Sequence, residues 1–330
     1  MRAAPSGPGA RVLGVGAYRP SRVVSNAEVA GAIDSSDDWI RRRSGIVTRR
    51  FAAPDETVVE MAATASLKAL AQAGVAPESV DAVLLASMSV LEQSPPAAPR
   101  LAHRIGAAGA GAVDVGAACA GFVHALATAD SLIRSGNARY VVVAGAERMS
   151  DIVDPGDRGT AFLFGDGAGA VVVGPSGEPG IGPVVWGSQG DRHSAIAHSD
   201  PWPVQGTAAA GTVPTMRMDG PAVFRWAVAT VPRAARAALA AAGVTADDLA
   251  AFVPHQANLR IIDAAVTQLA LPDRVAVARD VVDTANTSAA SIPLALEALI
   301  ARGAVPRRGL ALLVGFGAGL SHAAQVVRLP

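Results

Sequence analysis

Three side chains in this sequence are of a type that carries covalent chemistry, and each stands at a similar kind of junction. Cys119 lies in Gly116-Ala-Ala-Cys-Ala-Gly121, between an apolar run and an apolar helix-like run. Small residues on both sides permit a tight turn. A helix N-terminus there would offer free N–H groups and a positive dipole end, which favour a thiolate. His255 lies in Val253-Pro-His-Gln-Ala-Asn258 and Asn286 in Asn286-Thr-Ser-Ala-Ala-Ser291, again just ahead of helical patterns. Taken singly, Cys119 also reads as a buried inert thiol, His255 as a structural imidazole and Asn286 as an ordinary helix N-cap. Taken together, one thiol, one imidazole and one carboxamide suit nucleophilic catalysis with a base or positioned hydrogen-bond donors.

The elements that must place these residues alternate along the chain. Strand patterns at 80–86, 113–116, 140–144, 168–173, 251–253 and 310–314 alternate with helical patterns at 57–73, 122–133, 224–242, 259–269 and 292–300. Gly74, Gly136 and Gly243 close three of the helices. Such alternation predicts an α/β fold with buried sheets. A Gly/Pro-rich stretch at 174–183 marks the midpoint, and 187–215 reads as a long polar surface excursion. The length of 330 residues favours two units.

Composition narrows the function. One cysteine excludes an internal disulfide framework and any multi-cysteine metal site. Twenty-eight basic residues against 28 acidic ones leave no net charge, so no footprint for nucleic acid is present. The apolar runs stop well short of the roughly 20 residues that span a membrane. Residues 1–10 lack the apolar core of a signal peptide and read as a frayed tail. A reducing, cytoplasmic setting is expected.

Glycine clusters at Gly14-Val-Gly16, Gly165-Asp-Gly-Ala-Gly169 and Gly315-Phe-Gly-Ala-Gly319 lack the dinucleotide-binding pattern. The last two run into apolar strands and read as close backbone approaches to an active site. Arg41-Arg42-Arg43 reads as a solvated helix end or, with the flat surface of Trp39 beside it, as a site for adenine and phosphate.

These motifs together resemble the β-ketoacyl-ACP synthase III family of the thiolase superfamily. The resemblance runs from about Arg11 to Leu329. It is carried by Ser36-Asp-Asp-Trp-Ile40 with Arg43-Ser-Gly-Ile46, Ala117-Ala-Cys-Ala-Gly121, Asp157-Arg-Gly-Thr160, and Phe164-Gly-Asp-Gly-Ala-Gly169. Val253-Pro-His-Gln-Ala-Asn-Leu-Arg-Ile261, Asn286-Thr-Ser-Ala-Ala-Ser291 and Gly315-Phe-Gly-Ala-Gly319 complete it. Phe224-Arg-Trp-Ala227, Asp283-Thr284 and Gly319-Leu-Ser321 bring it nearer the priming ketosynthases of type II aromatic polyketide pathways.

The resemblance implies a thiolase-like five-layered αβαβα fold of two pseudo-equivalent halves, 1-178 with the nucleophile and 179-330 with the His and Asn, and a homodimer. It implies that Cys119 takes an acyl group from acyl-CoA. Malonyl on the acyl carrier protein then loses CO2 and condenses with that group. His255 and Asn286 would hold the enolate, and the N–H groups of Cys119 and Ala318 the other oxyanion. Phe316 would pack beside Cys119. Trp39, Arg43 and Arg158 would meet the CoA adenine end, and Gly220 and Phe224 the pantetheine. Arg225 and Arg260 would face the carrier protein. No cofactor is implied.

Several positions depart from the family pattern: Pro221, Ala285 before the Asn motif, Ala318, His322, and Thr267-Gln268 where lysines are frequent. Ser94 stands where a phenylalanine often reaches across the dimer, which implies an acyl pocket for a starter larger than acetyl. Glu92 nearby reads as a surface charge or a base for a different condensation. An acyltransferase acting on an oxygen nucleophile or a carrier without condensation is the alternative; retention of Asn286 speaks against it. A papain-type hydrolase shares the order Cys, His, Asn but not the context. A non-catalytic partner subunit would have lost Cys119 or His255.

Overall fold

The computed structural model describes residues 9–199 and 214–330. The first half runs β1 (Ala10–Tyr18), β2 (Arg22–Ser25), α1 (Asn26–Ala30), α2 (Asp37–Ser44), β3 (Thr48–Phe51) and α3 (Val58–Ala73). It continues β4 (Ala82–Ala86), α4 (Ala97–Arg104), β5 (Gly111–Val115), α5 (Gly121–Arg134), β6 (Val141–Glu147) and β7 (Gly167–Pro175). The second half runs β8 (Val185–Ser188), β9 (Ile196–His198), β10 (Met216–Met218), α6 (Gly220–Ala242), β11 (Leu249–Pro254) and α7 (Leu259–Leu269). It ends with β12 (Ala276–Val277), α8 (Val281–Thr284), α9 (Ser291–Ala301), β13 (Leu310–Gly317) and β14 (Ser321–Arg328).

Local chemistry sets the helix ends. The Thr57 side chain accepts the Glu60 N–H ahead of α3, and the Asp219 side chain accepts the Ala222 N–H ahead of α6. Gly74 and Gly243 close these helices at φ +64° and +67°, where a Cβ would be strained.

The strands form two five-stranded sheets, ordered β1-β7-β6-β4-β5 and β8-β14-β13-β11-β12. In each, the first two pairings are antiparallel and the last two parallel. The connections match too: α3 and α6, α4 and α7, and α5 and α9 occupy equivalent places in the two chain orders. α5 and α9 lie between the sheets and touch both, α3 and α4 cover the outer face of the first, and α6 covers that of the second with α7 packed beside it. The result is five layers, αβαβα. The apolar middle joins Val141, Val143 and Phe122 of one half to Leu313, Val253 and Leu296 of the other.

The structure corrects parts of the sequence reading. Ala10 belongs to β1 and is 1% exposed, which corrects the frayed-tail expectation at that position; residues 1–8 of that stretch lie outside the described residues. β1 and β14 had no place in the alternation: β1 carries three residues, Gly14, Gly16 and Ala17, that blur its pattern. The excursion at 187–215 is not irregular throughout. Its start ends β8, and β9 pairs antiparallel with β10; residues 200–213 lie outside the described residues. Gly14 and Gly16 admit α3, since a Cβ on either would meet the Ala69 or Ala65 carbonyl within 2.3 Å. Among the described residues, no helix is long and apolar enough to cross a membrane.

Candidate active site

Cys119 sits in a single helical turn, Ala118–Ala120, that runs into α5. Ala118 takes φ +44° to make that turn. The thiol is 6% exposed. Burial, reinforced by the negative charge of Glu147, pushes it up to about 11, against the opposing pull of the nearby Ser288 hydroxyl and of the N–H groups of Cys119 and Ala318. Burial thus outweighs the helix end on which the sequence reading relied, and the resting nucleophile is a thiol. The two backbone donors flank the sulfur, as an acyl oxyanion forming there would require. Gly317 makes the approach possible: a Cβ there would lie 2.7 Å from Cys119 Cβ and 2.9 Å from Sγ. Of the two glycine clusters read as active-site backbone, this one abuts the sulfur. In the other, a Cβ on Gly165 would lie 2.5 Å from the Thr284 carbonyl, just ahead of Asn286.

His255 follows β11 and is buried. Its N–H donates to the Val314 carbonyl at 2.8 Å, and Phe316 packs edge-on at 5.1 Å. Nδ1 lies 2.6 Å from Ser291 Oγ. That hydroxyl already accepts the Gln256 N–H, and among the described residues its hydrogen has no other acceptor. It therefore donates to Nδ1, which leaves the imidazole proton on Nε2. Burial holds the ring down at about 3, so it is neutral at working pH. Asn286 N–H donates to the Leu163 carbonyl at 2.9 Å, and Oδ1 accepts the Ser288 N–H at 2.8 Å. With Oδ1 tied, the amide NH2 is the group left for a ligand.

The sequence reading missed Ser291 and Ser288, both inside or beside a motif it used, and Glu147. The signal for Glu147 was a carboxylate ending an otherwise apolar strand, an unusual place for one. Ala118, Ala285 and Ser288 all take positive φ, at +44°, +56° and +46°. Backbone strain therefore gathers around this site.

Cys119, His255, Asn286 and Phe316 line one cavity of about 280 Å³. Gly220, Phe224 and Arg43 line it further out, as do Arg225 and Arg260. Arg260 lies 5.0 Å over the Phe224 ring. Trp39 stands edge-on to Phe162 at 5.0 Å, with the guanidinium groups of Arg43 and Arg158 5.3 and 5.2 Å from its ring centre. Ser94 is exposed and does not line the cavity of its own chain. Glu92 is exposed and paired with Arg100. Asp166 of the Gly165–Gly169 cluster is structural: it accepts bonds from Ala52 and Ser150.

The comparisons with known proteins point one way. The family model for 3-oxoacyl-[acyl-carrier-protein] synthase III matches residues 113–190, and the model for its C-terminal part matches 239–329. A β-ketoacyl-[acyl-carrier-protein] synthase III of Streptomyces glaucescens is 52% identical over 330 residues, covering 100% of this chain and 99% of the relative. The crystal structure of the priming β-ketosynthase from the R1128 polyketide biosynthetic pathway superposes with a TM-score of 0.97 at 52% identity, covering 100% of this chain and 98% of that one. The synthase III of Pseudomonas aeruginosa superposes at 0.88 with 39% identity, covering 100% and 99%. A buried thiol between backbone donors, facing an imidazole and a carboxamide in a duplicated five-layer fold, thus has full-length relatives in sequence and in structure, and the chain belongs to the β-ketoacyl-ACP synthase III family.

Proposed function

We propose that this chain is a priming β-ketoacyl-ACP synthase that loads an acyl group from acyl-CoA onto Cys119 and condenses it with malonyl-ACP. The observation that carries the reading is that two donor pairs serve one cavity: the N–H groups of Cys119 and Ala318 at the sulfur, and the His255 imidazole with the Asn286 amide beside it. A thiol suits the first half-reaction because thioester exchange is nearly neutral in energy, so the acyl group can leave again. In the second half, malonyl loses CO2 and negative charge collects on its thioester oxygen. A neutral His255 with its proton on Nε2 and the Asn286 amide supply two hydrogen bonds to that oxygen. The carbanion attacks the acyl carbonyl, the bond to Cys119 breaks, and β-ketoacyl-ACP leaves. The scheme balances with its two substrates and asks for no further cofactor. Residues 1-178 would supply the nucleophile and 179-330 the His and Asn.

Trp39 with Arg43 and Arg158 would take the adenine end of CoA by stacking and charge. Gly220 and Phe224 would line the pantetheine path. Arg225 and Arg260, exposed at the mouth, would meet the acidic carrier protein. The enzyme would work as a cytoplasmic homodimer. Ala97 and Ala98, just after Ser94, donate to Asp114 on the edge strand β5, and a second copy seated against that edge would meet Ser94. A small residue there would leave the partner's acyl pocket roomy.

The test is product formation from acyl-CoA and malonyl-ACP, with CO2 release measured in parallel. Replacing His255 or Asn286 by Ala is expected to cut CO2 release by about 100-fold or more while Cys119 still accepts acyl groups. Acyl transfer to an alcohol without CO2 release would overturn the reading. Across acetyl-, propionyl-, isobutyryl- and hexanoyl-CoA, kcat/KM is expected to peak beyond acetyl; an acetyl optimum would contradict the larger pocket.

A further inference from the structure

Glu147 has no part in the scheme above. It is buried at the end of β6, and five donors converge on it: the Ser87 and Ser89 hydroxyls and the N–H groups of Met88, Ser89 and Ala289. Burial pushes its carboxyl up, against the pull of these donors, so it accepts a proton more readily than an exposed carboxylate. Ser288 stands between this carboxylate and the nucleophile. Its hydroxyl is in polar reach of both Cys119 and Glu147, and it closes no hydrogen bond with either. Its backbone is held at φ +46°, which keeps it in the turn beside Ala289.

The thiol must lose a proton to become a nucleophile, and His255 is poorly placed to take it. Its Nε2 already carries the imidazole hydrogen and Nδ1 is engaged by Ser291. Glu147 has a free claim on that proton for an electrostatic reason. A thiolate and a carboxylate side by side in a buried site repel each other, so losing the charge on one favours gaining it on the other.

We propose that Glu147 and Ser288 form a proton relay behind Cys119, with Ser288 and Glu147 acting as positioning and proton-holding residues for the nucleophile. As Cys119 sulfur bonds to the acyl carbon, its proton passes to Ser288 Oγ while the Ser288 hydroxyl proton passes to Glu147. The carbon–sulfur bond to CoA breaks, and CoA leaves as a thiolate that takes a proton from water. When the acyl group later departs to the malonyl-derived carbanion, the relay runs backwards and returns the proton to Cys119. The pair carries one negative charge at rest and none in the acyl-enzyme, the charge having left with CoA; departure of the acyl group to the carbanion restores it. The acyl step rests on the ketosynthase reading; the charge coupling between Cys119 and Glu147 does not.

Two variants test it. Ser288→Ala removes a hydroxyl without a bonded partner, so its melting temperature is expected to stay near wild type. Its single-turnover acylation, followed by intact mass with an acyl-CoA that wild type accepts, is expected to slow by about 100-fold near neutral pH. That deficit should shrink as pH rises towards the thiol's own ionisation, where hydroxide takes the proton directly; a merely structural defect would not fade in this way. Glu147→Gln removes the repelling charge, so the midpoint of Cys119 alkylation by iodoacetamide should move to lower pH. The titratable neighbours in that experiment are Glu147 from β6 and His255 from beyond β11, with Arg43, Arg225 and Arg260 at the outer cavity. Wild-type acylation rates in Ser288→Ala, a deficit unchanged with pH, or an unmoved alkylation midpoint in Glu147→Gln would each overturn the relay. If Glu147→Gln does not fold, Ser288→Ala decides. If no acyl-CoA labels the wild type, the ketosynthase reading fails, and the alkylation midpoint still reports the coupling.

Discussion

Ala285 stands at φ +56° and ψ −161°, a region where a Cβ is strained by about 1–3 kcal/mol. Glycine there would relieve the strain and lose about 0.5–1 kcal/mol to its greater freedom in the unfolded chain. Ala285→Gly is therefore expected to raise stability by about 1 kcal/mol, read as a higher urea midpoint. His255 sets a pH dependence. Its folded value of about 3 lies below the ordinary 6.5, so between those limits the unfolded chain binds a proton that the folded one refuses. Its contribution is intact above pH 6.5 and is lost as pH falls, by at most about 1.4 kcal/mol per pH unit. His255→Gln should consequently lose less melting temperature than wild type between pH 7 and pH 5 (about 5 °C for each 1 kcal/mol would be large for a chain of this size). Ser291→Ala would free the imidazole tautomer, and a lost buried hydrogen bond of about 1.4 kcal/mol predicts CO2 release slowed by about 10-fold with acylation retained.

The two turns that open the central helices are built alike. Ala118–Ala120 precedes α5 and Ser288–Ala290 precedes α9, and their first residues take φ +44° and +46°. Each turn presses on a glycine of the other half. A Cβ on Gly315 would lie 3.0 Å from Ala120 Cα, and one on Gly145 would lie 2.3 Å from the Ala289 carbonyl. Gly317→Ala is expected to abolish acylation of Cys119 by crowding its sulfur, as seen by intact mass. Much of this was legible in the chain. The helix at Leu259–Leu269 and the other four long helices followed from apolar spacing and closing glycines, because those signals are local. Cys119, His255 and Asn286 were legible because each sits in a strand-to-helix junction of distinctive composition. β14 was not, since Ser321, His322 and Gln325 break its apolar pattern and only pairing with β13 defines it. Glu147 and Ser288 were not either: their importance lies in converging from different strands and turns on one thiol, which no local pattern records.

Across the whole molecule, the matching order and direction of strands in the two sheets describe one βα unit used twice. The halves have diverged where chemistry requires it. Cys119 in the turn before α5 corresponds to Ala289 in the turn before α9, whose N–H is bonded by Glu147. β5 is an edge strand with Val113 55% exposed and, among the described residues, no strand on its outer side, which is where the proposed second copy would pair. The homodimer proposed above predicts a two-chain mass in light scattering for wild type and a one-chain mass for Val113→Lys; a one-chain mass for wild type would contradict it. The proposed function depends on one event, the transfer of an acyl group to Cys119 and its onward condensation. Intact-protein mass after incubation with acyl-CoA, before and after addition of malonyl-ACP, measures it directly. The account predicts an acyl adduct on wild type, none on Cys119→Ala, and loss of the adduct to β-ketoacyl-ACP when malonyl-ACP is added. An adduct that persists on Cys119→Ala, or one on wild type that malonyl-ACP never extends, would contradict it.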